Sequence, residues 1–227
     1  MRRRWLMICA MCCVAVTAVT AETRPRDPWV FRCVLDGKPR IVVAALHESL
    51  WVAYDATVCG FEKAWTGDVR FDGAVYTGVH GPQPTSRGTM RLVAEEGSPW
   101  IVRREGDVFE ATPRWRGYRL VEDRVEFLYD LATPLGVIRV TESPEVERME
   151  SGRVRLHRRF ETSNVPRGCT ISVRTPTELA TGGRVVISRK DAPPPIRPGS
   201  TPTSLPLPSN GTVTYMYDLG LIAEGGS

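Results

Sequence analysis

Alternation of apolar and polar side chains with a period of two residues is the feature that most restricts the fold of this chain. In 125–131 every second position is apolar, and in 154–161 one side carries Val154, Leu156, Arg158 and Phe160. Such alternation is typical of half-buried strands. Asp36-Gly37 between two apolar runs predicts a hairpin, since both residues tolerate positive φ. The segment 142–150 is the one marginal helical candidate. The sequence therefore predicts an all-β fold, an antiparallel β-sandwich (a supersandwich being one form of it) with long loops.

The first 21 residues are predicted to be a secretory signal peptide. Arg2, Arg3 and Arg4 precede the apolar stretch 5–16, and Ala21 ends a small-residue cleavage site. The stretch is short for a bilayer span, so we expect a periplasmic or secreted protein with no membrane span in its mature part. The whole chain has 30 basic and 26 acidic residues. Because three of the basic ones belong to the leader, the remainder is close to neutral, and nucleic acid is not an expected partner.

The rest of the chain is long enough for one domain with a sizeable core. We expect a β-sandwich domain over 22–190, a proline-rich surface loop over 191–209, and a strand over 210–227 that returns to the sheet. A tail that docks a partner is the alternative for the last two segments. Three cysteines follow the leader: Cys33, Cys59 and Cys169. Two interpretations are open: a bridge between Cys33 and Cys59 with one thiol left over, or three small buried side chains.

The first candidate site is the loop 71–88, which is rich in proline and glycine and therefore rigid. It carries Tyr76, His80, Gln83 and Arg87. His80 could act as an acid or base near neutral pH. Its ring nitrogens could equally fasten the loop to nearby carbonyl groups. His47 and His157 are expected at the surface or at strand edges.

Two carboxylates close together in sequence, Glu142 and Glu145, are the second candidate. Glycoside hydrolysis requires a pair of carboxylates, and their separation in space decides whether such a pair can act. The alternative is that they point apart or into solvent. The arginines of the run 153–159 are expected to lie mostly on a solvated strand face.

Tryptophan is the third candidate feature, because an aromatic platform beside polar loops can grip the apolar face of a sugar ring. Trp51 and Trp65 are the expected platform residues, although most tryptophans in a sandwich belong to the core. Three scattered histidines form no recognisable zinc site, and C-x-x-C is absent after the leader. Phosphate-loop, G-x-S-x-G and H-E-x-x-H motifs are absent as well. No metal and no cofactor is therefore predicted.

Several stretches together resemble an uncharacterised β-rich domain of exported bacterial proteins. The resemblance covers roughly 29–190 and rests on six segments: 50–55 (LWVAYD), 64–67 (AWTG), 71–76 (FDGAVY), 80–84 (HGPQP), 141–145 (TESPE) and 158–162 (RRFET). In that family the domain often precedes a sugar-dehydrogenase-like propeller and a c-type cytochrome domain. The resemblance implies a β-sandwich module and supplies no catalytic residues. This chain has no propeller or haem motif after the domain, so any redox cofactor would belong to another chain.

Three functions are compatible with these observations. The leading hypothesis is an exported, non-catalytic module that binds carbohydrate or a partner protein, with the loop 76–87, Trp51 and Trp65 as its binding face. The second is an enzyme acting on saccharides, with His80 and Glu142 or Glu145 as acid and base. The third is a scaffold on which a separate c-type cytochrome or sugar dehydrogenase docks.

Overall fold

A computed structural model describes residues 27–48, 50–71, 82–176, 179–180, 186–190 and 203–221. Every regular element in these ranges is a strand, and every pair of neighbouring strands is antiparallel. The predicted all-β class is therefore confirmed, and the arrangement is consistent with a β-sandwich. Within the same ranges no helix has the length and apolar character needed to cross a lipid bilayer.

The strands form three sheets. The five-stranded sheet contains, in chain order, β1 (Trp29–Leu35), β2 (Lys38–His47), β3 (Leu50–Asp55), β4 (Gly60–Arg70) and β5 (Thr85–Val93). The six-stranded sheet has the order β13 (Val186–Arg189), β15 (Gly211–Leu221), β11 (Arg153–Ser163), β10 (Gly136–Arg148), β9 (Arg124–Thr133) and β8 (Thr112–Val121). The four-stranded sheet has the order β14 (Ser204–Leu207), β12 (Cys169–Arg174), β6 (Trp100–Arg104) and β7 (Asp107–Phe109).

Both faces of β2 and β3 are buried, which explains their continuous apolar sequences. Strands covered on both sides lose the alternation that a half-buried strand shows. Successive residues enter two different cores. Val52 and Tyr54 belong to a large core that contains residues of all three sheets, here named the inter-sheet core. Trp51 and Ala53 belong to a smaller core on the opposite face of the five-stranded sheet, here named the aromatic core.

The five-stranded sheet curls around the aromatic core. The amide of Asp36, in the turn between β1 and β2, donates to the carbonyl of Pro84, just before β5. The Asp36 carboxylate also accepts hydrogen bonds from the amide and the hydroxyl of Ser86 and pairs with Lys63. The first and last strands of the sheet are therefore fastened together at this end. The predicted hairpin is present here, with positive φ at both Asp36 and Gly37.

Gly67 on β4 faces Gly88 on β5 at an unusually close approach of the two backbones. Both have positive φ, +135° and +112°. A Cβ atom on Gly67 would lie 2.2 Å from the Arg87 carbonyl oxygen, and one on Gly88 would lie 2.1 Å from that of Thr66. Only glycine fits at this crossing.

The six-stranded sheet follows the predicted alternation. Val125, Phe127, Tyr129 and Leu131 on β9 all lie in the inter-sheet core. The helical candidate over 142–150 is wrong for 142–148, because β10 continues to Arg148 and pairs with β11 along this length. Pairing with a neighbouring strand outweighs a weak local preference.

The proline-rich stretch is more ordered than expected in its described part. Residues 204–207, predicted to be loop, form β14, which pairs with β12 and is an edge strand. An edge is where a sheet tolerates proline, here Pro206. The segment after it forms β15, which lies between β11 and β13.

Candidate functional site

The residues expected on the rigid loop can be placed only in part. Tyr76 and His80 lie outside the described residues. Gln83 and Arg87 are exposed, Gln83 just before β5 and Arg87 on that strand. Arg87 pairs in register with Asp68 of β4.

Trp51 and Trp65 are buried, so the predicted sugar platform is wrong. Their exposed fractions are 1% and 0%. The two rings stack on each other in the aromatic core, with centroids 6.0 Å apart and planes 13° apart. The Trp51 indole N–H donates to the Gly67 carbonyl at 2.8 Å, and that of Trp65 donates to the Asp68 carbonyl at 3.0 Å. Both rings are therefore packed inside the protein.

Glu142 and Glu145 do not form a catalytic pair. They are an odd number of positions apart on β10, so their side chains point to opposite faces of the sheet. Glu142 is 0% exposed, whereas Glu145 is half-buried and lies 3.8 Å from a guanidinium nitrogen of Arg124. Carboxylates on opposite faces cannot act on one glycosidic bond.

Glu142 instead forms an ion pair with Arg158 in the inter-sheet core. The Nε of Arg158 lies 2.6 Å from Oε1 of Glu142, and the arginine is 1% exposed. The register places Arg158 opposite Pro144, two positions along β10 from Glu142, so both side chains lie on the inner face. The arginines of 153–159 were expected to lie mostly on a solvated strand face, and Arg158 is an exception because it is buried.

Hydroxyl groups from three further strands and one loop complete this buried polar cluster. The hydroxyls of Tyr54 and Tyr129 donate to Glu142 at 2.7 and 3.3 Å. Nη1 of Arg158 donates to the Tyr217 hydroxyl at 3.2 Å, and Thr175 bonds to the same hydroxyl at 2.8 Å. The cluster thus joins β3 of the first sheet, four strands of the second and the segment that follows β12 of the third.

The electrostatics of the cluster favour fixed charges and neutral tyrosines. Burial, and then the charge of Glu142, raise the pKa values of Tyr54 and Tyr129 well above the ordinary value. Burial opposes the charge of Arg158, but Glu142 beside it outweighs burial and raises its pKa well above the ordinary value. The guanidinium also lies over the rings of Phe61, Phe160 and Tyr217, at 4.9, 5.0 and 5.6 Å. The two tyrosines and Arg158 therefore hold their protons near neutral pH, and the cluster is closed to solvent and fastens the sheets.

Cys33, Cys59 and Cys169 are free thiols, so the alternative with a Cys33–Cys59 bridge is wrong. Cys33 packs against the aromatic core, and Cys59 is buried in the inter-sheet core on the other face of the same sheet. Burial, with a contribution from Asp36, raises the pKa of Cys33 to about 11, and burial, with a contribution from Asp55, raises that of Cys59 to about 12. Cys59 and Cys169 are fully buried, and Cys33 is half-buried.

The histidines that the structure describes are also engaged. His157, expected at the surface or a strand edge, is 8% exposed on the interior strand β11, and its Nε2 lies 3.0 Å from Oε2 of Glu147. Nδ1 of His47 lies 3.2 Å from an Nη atom of Arg148. The described residues contain no group of three histidine, cysteine or acidic side chains that could hold a metal ion.

A cavity of about 350 Å³ lies at one end of the sandwich, between the end of β2 and the turn that joins β8 to β9. Leu46, Val125 and Val146 give it apolar walls, while Asp123, Arg124 and Glu145 contribute charges. Among the predicted site residues that the structure describes, Glu145 alone lines this cavity. Its Arg124 partner lines the cavity as well, so the two charges offset each other there.

The strand β8 is an exposed surface that sequence reasoning missed. Among the described residues it pairs only with β9, so it is an edge strand. Tyr118 and Leu120 are 38% and 39% exposed. They face the same side because they are two positions apart. The alternation of arginines with apolar residues over 114–120, interrupted only at Gly117, is the signal that could have found this strand.

A β-bulge between Trp115 and Gly117 explains that interruption. The rings of Trp115 contact Phe127 and Tyr129, so Trp115 points into the inter-sheet core. After the bulge, Tyr118 and Leu120 face Phe127 and Val125 in register and therefore lie on the same inner side.

Comparison of the chain with protein-family models, with curated protein sequences and with solved structures found no match. The physical arrangement of the described residues is therefore what supports a function.

Proposed function

We propose that this chain is an exported, non-catalytic β-sandwich module that binds a partner protein. The observation that carries the proposal is the edge strand β8, which presents Tyr118 and Leu120 on one side. Tyrosine is enriched at protein–protein interfaces because it combines a large apolar ring with a hydrogen-bonding hydroxyl. An edge strand also offers unpaired backbone donors and acceptors, which extended segments of other proteins use.

The arrangement favours a protein over a carbohydrate as the ligand. The two tryptophans expected to stack on sugar rings are inside the aromatic core. Glu142 and Glu145, the candidate carboxylate pair, lie on opposite faces of β10. The tryptophan platform and the carboxylate pair therefore give the saccharide hypothesis no support, whereas the edge strand remains available.

Export and the class of the partner rest on the sequence. The basic and apolar leader over 1–21 supports export. The resemblance to a domain that often precedes propeller and cytochrome modules supports a separate sugar dehydrogenase or c-type cytochrome as the partner. A haem-containing partner would be visible by its absorbance in a purified complex.

Site-specific photo-crosslinking tests the proposal. A photoreactive phenylalanine derivative replaces Tyr118 in one variant and Glu161, exposed on the outer face of β11, in a matched control. We expect one discrete adduct at position 118 that excess unlabelled protein competes away, and none at 161. The adducted protein is then purified and its binding to the full chain is measured directly.

A thermal-unfolding screen with sugars and polysaccharide fragments tests the opposing hypothesis, that the chain binds carbohydrate. A ligand present at a hundred times its Kd stabilises a protein by about 2.7 kcal/mol, which is readily detected as a change in Tm. A sugar-specific rise in Tm that disappears in Tyr118→Ala, together with no adduct at position 118, would overturn the proposal in favour of carbohydrate binding.

A further inference from the structure

The charges on β8 are all of one sign. The strand carries Arg114, Arg116 and Arg119 and no acidic residue. Arg114 is level with Asp130 and Arg119 with Glu126 of β9, whose side chains lie on the outer face of the sheet. The nearest nitrogens of Arg116 and Arg119 lie 3.4 and 2.6 Å from Asp130 and Glu126. All three arginines therefore belong to the outer side of the strand.

The arginines are exposed and their partner carboxylates are covered. The side chains of Arg116 and Arg119 are 63% and 60% exposed, whereas those of Asp130 and Glu126 are 23% and 12% exposed. A guanidinium has five N–H donors, so one contact with a carboxylate leaves others directed to solvent. A molecule that approaches this edge meets positive charge first.

The two sides of β8 thus differ in chemistry. The outer side presents guanidinium groups, and the inner side presents Tyr118 and Leu120. A strand added beside β8 would place its own alternate residues next to these two sets. Acidic residues would match the outer side and apolar residues would match the inner side.

A second copy of this chain fits the edge poorly. Pairing β8 with another β8 would bring arginines of the two strands side by side, and like charges on facing strands are destabilising. The arginines oppose such self-association, as charged side chains do on natural edge strands. An acidic segment experiences the same arginines as an attraction.

We infer that β8 binds an extended acidic segment of the partner, in which acidic and apolar residues alternate, as an added strand of the six-stranded sheet. This inference rests on the proposed function and specifies the partner's chemistry. The arginines steer and orient the segment, and the backbone of β8 supplies the hydrogen bonds.

Binding of a fluorescent ten-residue peptide of alternating Glu and Val to the full chain, followed by anisotropy, tests the inference. We expect saturable binding that weakens with added salt. The double variant Arg116→Glu/Arg119→Glu should weaken binding by about tenfold or more, because each residue changes from attraction to repulsion. The control Arg139→Glu makes the same substitution at one position, half the total charge change, where the side chain is exposed on the interior strand β10, and it should bind like the parent.

Three further measurements keep the result interpretable. The milder Arg116→Gln/Arg119→Gln pair, checked by circular dichroism and Tm, separates loss of binding from loss of folding. A peptide methylated at alternate backbone nitrogens keeps its charges but loses strand hydrogen bonds, and we expect it to bind much more weakly. A Lys–Val peptide should not bind.

Three outcomes would overturn the inference: no saturation by the Glu–Val peptide, equal losses in the β8 variant and in Arg139→Glu, or undiminished binding of the methylated peptide. If one of these results is obtained and the crosslinked adduct at position 118 is still observed, the acidic-strand inference fails and the proposed function stands. Absence of that adduct would instead count against the proposed function.

Discussion

The aromatic core and the inter-sheet core lie on the two faces of one five-stranded sheet, yet they bury different kinds of side chain. The aromatic core satisfies its two central indole N–H groups with backbone carbonyls of β4, at Gly67 and Asp68. The inter-sheet core contains the ion pair of Glu142 and Arg158 with its ring of hydroxyl groups. The first depends on close backbone packing, and the second depends on mutual compensation of charge. The two cores should therefore respond to different substitutions.

The largest effect is expected from removing one member of the ion pair. Glu142→Leu would leave the Arg158 charge buried without a counterion, and Arg158→Met would leave the carboxylate in the same position. Each single change should lower the free energy of unfolding by about 3–5 kcal/mol, measured by urea unfolding.

The double variant Glu142→Leu/Arg158→Met is the control, because it removes both charges. We expect it to be more stable than either single variant and to approach the parent. Additive losses in this double-mutant cycle would show that the two residues do not compensate each other.

Substitution of Gly67, at the close approach of β4 and β5, tests how much the aromatic core depends on close backbone packing. Gly67→Ala should cost roughly 2–4 kcal/mol, because its Cβ would meet the Arg87 carbonyl and its φ is unfavourable for alanine. Gly97→Ala is the control: φ is also positive there, +96°, but no atom lies within 4 Å of the added Cβ. It should cost about 1 kcal/mol. Equal losses at the two positions would mean that the close approach is unimportant.

The hydroxyl donors give a graded test within the polar cluster. Tyr54→Phe removes a 2.7 Å hydrogen bond to the Glu142 carboxylate. It should cost about 1.5–3 kcal/mol, in the range found for hydrogen bonds to charged groups. Tyr129→Phe removes a bond of 3.3 Å and should cost less. The reverse order in chemical unfolding would show that the longer contact is the stronger one.

The smallest effect concerns the fastening of the curled sheet and depends on pH. Burial opposes ionisation of Asp36, but hydrogen bonds from Lys63 and Ser86 outweigh it and hold the pKa of Asp36 below the ordinary value. A lowered pKa stabilises the folded state above about pH 4, and that stabilisation is lost as pH falls through the folded pKa. Asp36→Asn should therefore lower Tm at pH 7 and lower it less near pH 3.

The control is Asp107→Asn, which removes an exposed carboxylate on β7. We expect its effect on Tm to be small at both pH values. A loss in Asp36→Asn that is the same at pH 3 and pH 7 would contradict the assigned role of Asp36.

The fold class was predictable because the alternation of apolar and polar residues identifies a strand with one buried face, as it does in β9. The same rule failed for β2 and β3, where both faces are buried and alternation cannot assign a residue to a face. Trp51 and Tyr54 lie in opposite cores, which alternation could not show. A binding role for Trp51 was inferred wrongly for this reason. The Glu142–Arg158 pair was missed although Arg158 occupies an inner-face position, since its contact depends on the register of β10 against β11. Register is set by the whole hairpin and not by either strand alone.

The position of β15 has a consequence for the order of assembly. This strand lies between β11 and β13 and supplies Tyr217 to the polar cluster, yet it follows β11 by about fifty residues in the chain. Until residues 211–221 have been synthesised, β11 has a vacant edge and Arg158 lacks one of its hydrogen-bond partners. Contacts so distant in sequence form slowly. We therefore expect the six-stranded sheet to be completed late, and a chain truncated before residue 211 to have an open sheet and a partly uncompensated charge.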